Sequence, residues 1–227
     1  MALGLALIAG LILAAASLVS VSGHTTPATA PLTVPLAVPA VPQADHAAPA
    51  TDLTLPQPTG YQDGVPVGYP NTQAGAVAAA YGYSRIATGL DVPATLRVIE
   101  AMSDPASGWF NRARGQIADG LVAQRRSLGL PSAGSPGMAL INVSPSSYRV
   151  ESTEVGALTV LTLNTVSTES ADGTMGTGTM VFRWALRWDG ARWLATRSYL
   201  EETDAKLAVA PFTSAAEALG WKAARGG

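Results

Sequence analysis

Cysteine is absent from the 227 residues, which removes disulfides, thiol catalysis, thiolate metal sites and a lipobox-type lipid anchor. Histidine is nearly absent. His24 and His46 are the only two, and both fall in a proline-rich stretch without fixed partners, where they read as solvated linker side chains. The part of the chain with folding patterns therefore has no histidine for a catalytic triad or an imidazole metal site. Charge is also scarce. Charged residues make up 13% of the chain, about half the usual share. The net charge of −2 gives no long-range attraction to nucleic acid or anionic lipid. Aromatics are 6% of residues, yet three of the five tryptophans fall in one stretch, "RWALRWDGARWLATRSYL" (183–200).

One thing the chain does have is a long apolar run. Residues 2–23, "ALGLALIAGLILAAASLVSVSG", contain neither charge nor proline. As a helix rising about 1.5 Å per residue, such a run crosses a hydrocarbon core of roughly 30 Å. Residues 1–23 are expected to form a single-pass transmembrane anchor, with the following domain outside the membrane. The alternative is a cleaved signal segment ending in small residues near Val21-Ser22-Gly23, which would make the protein secreted. No Lys or Arg precedes the run, which suits neither pattern and suggests a natural start further upstream. Residues 24–70 carry a proline every few positions and read as a disordered, extended linker.

Helical spacing begins after Pro70. Asn71 or Thr72 is placed to cap an Ala-rich helix in which Val77, Ala80, Tyr81 and Ser84 share a face. Asp91 and Pro93 open a second helix. A third is expected from Pro105 or Ala106 to Leu128, with Phe110, Ile117 and Leu121 on its apolar stripe. Arg125 and Arg126 close it, either as a partner surface or as a solvated end complementing the helix dipole. From Gly137 the period becomes two. "GMALINVSP" and "SYRVESTEVG" read as separate short strands around Pro145, and three longer β runs follow, turning at Asp172-Gly173 and Asp189-Gly190. Met180, Phe182, Trp184, Leu186 and Trp188 share one face of the middle run; Arg183 and Arg187 share the other. Trp188 and Trp193 are expected to meet across the hairpin. The string "GTMGTG" (173–178) lacks the following helix and Lys-Ser/Thr pair of a phosphate loop, so Gly176 and Gly178 are expected to mark a bend or bulge. Glu201, Glu202 and Asp204 read as a solvated turn. The tail 203–227 offers a short helix capped by Thr213 or Ser214, with Trp221 either docked on its own domain or serving as a partner handle.

Helices followed by one strongly curved antiparallel sheet resemble the NTF2-like class of α+β cone domains. The motif Gly68, Tyr69, Pro70, Thr72, Gly75, Ala76 and the tryptophan hairpin are similar to extracytoplasmic proteins encoded near conjugative-transfer genes in high-GC Gram-positive bacteria. The resemblance covers residues 64–200 and implies an NTF2-like domain at 71–202. It further implies a non-catalytic, VirB8-like subunit that scaffolds a conjugative-transfer or type IV secretion-like complex. Its partners would be other envelope proteins, with a homo-oligomer left open, and it implies no cofactor, metal or nucleic acid. Tyr81, Trp109, Phe110, Phe182 and Trp184 are the expected core or cone aromatics; Arg125, Arg126 and Trp221 are the candidate partner surface. In the alternative reading the cone binds a small molecule or acts as an isomerase or cyclase, with Tyr81, Tyr83, Trp109 and Asp104 the only candidates for that chemistry.

Overall fold

The computed structural model describes residues 53–154, 156–199 and 202–226. Strands come first: β1 (Leu53–Thr54), β2 (Gly60–Gln62) and β3 (Val65–Val67). Residues 53–70 thus do not belong to the linker. Leu55, Val65 and Tyr69 are buried in the main core, and β2 and β3 pair as a small antiparallel ribbon containing Pro66. Proline-rich composition misleads at this point because short two-stranded ribbons and strand edges tolerate proline as readily as a tether does.

Three helices follow: α1 (Gln73–Ile86), α2 (Val92–Met102) and α3 (Trp109–Ser127). Thr72 caps α1 by accepting from Gly75 N at 3.1 Å, and Asp91 caps α2 by accepting from Ala94 N at 2.9 Å. A separate 3-10 turn, Pro105–Ser107, precedes α3. Every residue of α1 from Gly75 to Ser84 is buried. Such a helix must be thin, and it is: a Cβ on Gly75 would lie 2.0 Å from Pro70 O, and one on Gly82 would lie 2.7 Å from Pro66 Cγ. The motif that runs from Gly68 to Ala76 therefore has a structural meaning. It lets the chain turn tightly into a helix surrounded on all sides.

The main sheet uses β1, β4 (Leu140–Glu154), β5 (Ala157–Glu169), β6 (Met175–Trp188), β7 (Trp193–Tyr199) and β8 (Lys222–Arg225), with a short α4 (Ser214–Ala218) before β8. Its order is β1-β8-β4-β5-β6-β7. β1 runs parallel to β8 and the other pairings are antiparallel. The two short strands expected around Pro145 are one strand, β4, with register shifts at Pro145/Ser147 and Val150/Ser152. Ser146 fixes the first shift by donating to Leu163 O at 2.9 Å, so the proline is absorbed by a bulge and does not end the strand. In the hairpin, Trp188 stands opposite Trp193, with ring centroids 5.6 Å apart in an edge-to-face arrangement.

Both faces of the sheet are covered near its middle. On the helix face, Val143, Val160, Val166, Phe182, Trp184 and Leu186 pack with α1–α3. On the outer face, Leu161, Leu163 and Val181 pack under Ala216 and Trp221 of the tail, with Leu207 and Leu219 at the margin. Trp221 is 5% exposed and donates Nε1–H to Leu207 O at 3.0 Å. It docks on its own domain and presents no partner surface.

The expected architecture, three leading helices on one curved antiparallel NTF2-like sheet, is corrected by this topology. The helices follow three strands, and the sheet is mixed and six-stranded because the tail inserts β8 between β1 and β4. No helix among the described residues is long and apolar enough to cross a membrane. The expected anchor, His24 and His46 lie outside the described residues.

Candidate functional site

The buried charged groups hold the fold together. Arg183 is 4% exposed and Asp204 fully buried. Arg183 donates to Asp204 through Nε at 3.1 Å and Nη2 at 2.6 Å, and also binds Glu151. This corrects the reading of Asp204 as part of a solvated turn. Asp104 caps the 3-10 turn at Ala106 N, 3.0 Å away, and accepts from Arg187 Nε at 2.7 Å. The Arg187 hydrogen bond, outweighing burial, holds the Asp104 carboxyl below the usual carboxylate range. Arg125, expected at a partner surface, is 1% exposed. Its guanidinium binds the carbonyls of Leu90 and, at 2.7 Å, Pro131, tying α3 to two loops. Arg126 is exposed and is the single member of the expected surface set that faces solvent.

The aromatic candidates all enter one core. Tyr81, Trp109, Phe110, Phe182 and Trp184 are buried together. Tyr83 donates its hydroxyl to Trp193 O at 2.5 Å, and Trp193 Nε1–H donates to Pro70 O at 2.9 Å. Those two bonds lock the tryptophan hairpin to α1 and to the turn before it. Trp184 Nε1–H donates to Ser84 Oγ at 3.0 Å, which lies 2.9 Å from Thr162 Oγ1. Asn164 Nδ2 extends the chain to Thr162 Oγ1 at 3.0 Å. Burial raises the hydroxyl pKa of Tyr81 and Tyr83 well above the usual tyrosine value and pushes that of Tyr69 up to about 12. All three stay protonated at neutral pH.

Between α2, α3 and the sheet lies a cavity of about 100 Å³. Ile99, Met102, Trp109, Ile117 and Leu121 line its helix side; Val143, Val166, Met180, Phe182 and Trp184 line its sheet side. Gln124, Thr88 and Ser198 are its polar margin, and Gln124 Nε2 is bound to Thr88 O at 3.1 Å. Tyr81, Tyr83 and Asp104 do not line it, so the alternative catalytic set is not brought together; only Trp109 of that set reaches the cavity. Among the described residues, two buried side-chain atoms, Tyr81 Oη and Asn164 Oδ1, have no hydrogen-bond partner. Among the described residues no group of three or more His, Asp or Glu side chains could hold a metal.

The far end of the sheet, toward the Ser170–Thr174 turn, is open in a way the hairpin end is not. β7 pairs with Arg183–Trp188 of β6, and among the described residues no strand pairs with the same edge from Met175 to Phe182. This stretch contains no charge and no proline. It pairs with β5 rung for rung from Glu169–Met175 onward, so of the expected bend or bulge at Gly176 and Gly178 the bulge is not there. The outer face here carries Asn142, Ser144, Thr165, Ser167, Thr177 and Thr179, assigned by their rungs with Leu163 and Val181. Leu140 and Met175, 61% and 77% exposed, flank Glu169 at its end.

Sequence patterning identifies the aromatic core but misses this end. Its signal is the uncharged "MGTGTM", where a strand edge normally carries Lys or Pro. Comparison of the chain with known protein families, with characterised proteins and with solved structures finds no match.

Proposed function

We propose that the chain is a membrane-tethered extracytoplasmic subunit that works by protein–protein contact, scaffolding a conjugative-transfer or type IV secretion-like complex. One observation carries this reading: the far end of the sheet leaves an uncharged strand edge and exposed Met175 and Leu140 in solvent. The buried charges, by contrast, are engaged in holding the fold. The apolar run 2–23 supplies the tether, and the motif from Gly68 to Ala76 supplies the likeness to transfer-associated proteins. Affinity purification of the tagged full-length chain from crosslinked native membranes, followed by mass spectrometry, tests it. Recovery of a transfer ATPase or envelope subunits is expected, and is expected to be lost when residues 1–52, which stop short of β1, are replaced. Recovery of the chain alone would contradict the proposal.

The cavity favours a second reading, binding of a small apolar molecule. Its lining is almost wholly aliphatic, aromatic and thioether, a surface that gains from excluding water. Trp109 and Trp184 line it, so titration with a small aromatic hydrocarbon should change tryptophan emission and raise the melting temperature. An unchanged spectrum and melting temperature would remove this reading.

A further inference from the structure

Gly178 has no structural reason inside one copy of the chain. Its φ is not in the left-handed region, and a Cβ built on it would meet nothing within 4 Å. The strand is regular there. A glycine in a strand interior that marks no register shift commonly marks close approach of another backbone. The edge beside it is the kind that proteins ordinarily blunt. The sheet's opposite side follows that rule: the outer edge of β4 is interrupted by Pro145 and two register shifts and is covered by β8 at Ser147 and Tyr148. The free edge of β6 has none of these devices.

We infer that this edge pairs with the same edge of a second copy, antiparallel, so that two six-stranded sheets become continuous across a two-fold axis. A two-fold between antiparallel edges stands perpendicular to the sheet and keeps outer face with outer face. Centred on Gly178, it sets Gly178 opposite itself and Thr177 opposite the second copy's Thr179. Met175 then stands opposite Val181, and Gly176 opposite Met180. Each rung has a physical sense. Threonines facing each other across strands hydrogen-bond and pack. Met175, 77% exposed in one copy, comes beside Val181 and the tail cluster built on Trp221. Met180 covers the bare backbone of Gly176. A second copy is the occupant these rungs favour, because Met175–Phe182 carries no charge to repel its own image and supplies both halves of each pair.

The inference rests on the reading of the chain as a contact-making subunit and names one of its contacts. Its test is the protein mass of the full-length chain in mild detergent, by light scattering across a dilution series. The wild type is expected to dimerise. Thr177→Lys with Thr179→Lys, and separately Thr177→Glu with Thr179→Glu, should each weaken the dimer at least tenfold by placing like charges on facing rungs. Mixing the two variants should restore it. Both positions lie outside the core, and an unchanged melting temperature confirms that the variants fold. If a variant melts early, restoration on mixing still decides, since misfolded chains do not rescue one another. A wild type that stays monomeric, or variants that dimerise as well as the wild type, would overturn the pairing. A monomer that still recovers envelope subunits from membranes overturns only the pairing. A dimer that recovers none upholds the pairing and overturns the scaffold reading.

Discussion

The hairpin end and the far end of the sheet are built from the same long strands, yet they are finished differently. At the hairpin end β7 covers the edge of β6, Trp188 and Trp193 close the rung, and Trp193 is bonded to the turn before α1. Toward the middle, Arg183 is buried among carboxylates under the tail. At the far end no described strand pairs with the edge of β6, the outer face is hydroxylated, and a cavity sits between sheet and helices. The same backbone ladder thus serves two purposes. Aromatic and ionic closure concentrates stability at one end, and that leaves the other end free to be shaped for contact. Local stability in proteins is commonly divided in this way between a packed unit and an interacting one.

Substitutions at the two ends should separate these roles. The largest effect is expected from Trp193→Ala, which empties a fully packed site and removes the indole bond to Pro70 O. A loss of about 4 kcal/mol, typical of large aromatic truncation, should appear in a denaturant melt. A loss of only a few tenths would mean that the hairpin end is not the stable one. Next comes Arg183→Ala, which takes from buried Asp204 the guanidinium that binds it through two bonds and should cost about 3 kcal/mol. Arg183→Ala with Asp204→Ala together should cost less than the two single changes summed; strict additivity would mean that the pair is not coupled.

A smaller effect concerns pH. The Asp104 carboxyl is held below its ordinary pKa chiefly by the hydrogen bond from Arg187. Its stabilisation is therefore present above the unfolded value of about 3.9 and is lost as pH falls through the lower folded value. The gap in melting temperature between wild type and Asp104→Asn should be constant near neutrality and shrink in acid. A gap that widens in acid would contradict the assignment. Smallest of all, the paired lysine substitutions at Thr177 and Thr179 should change stability by less than about 0.5 kcal/mol while weakening association at least tenfold. A large destabilisation there would mean that the far end belongs to the core.

Alternation made the helix face of the sheet legible: Met180, Phe182, Trp184, Leu186 and Trp188 repeat at period two and pack on one side. The outer face was not legible, because Arg183 is buried against carboxylates that arrive from 21 and 32 residues away. No local period encodes such a meeting. The tail posed the same difficulty, since β8 is four residues long and acquires its strand only by pairing with β4 and β1. Residues 53–70 were misread because proline reports local stiffness and not whether a segment is packed. The bare edge of β6 could have been noticed as a run of Gly, Thr and Met without charge. Which strands pair beside it is a property of the fold.

The most direct test of the claim that contact belongs to the far end is site-specific photo-crosslinking of the full-length chain in native membranes. A photoreactive residue would replace Thr177 at that end, or Tyr61 near the hairpin end, where Gln62 binds Arg192 at 3.0 Å and Tyr61 is itself 74% exposed. The account expects adducts from position 177, including one at twice the mass of the chain, and none from position 61. Adducts from position 61 alone would contradict it.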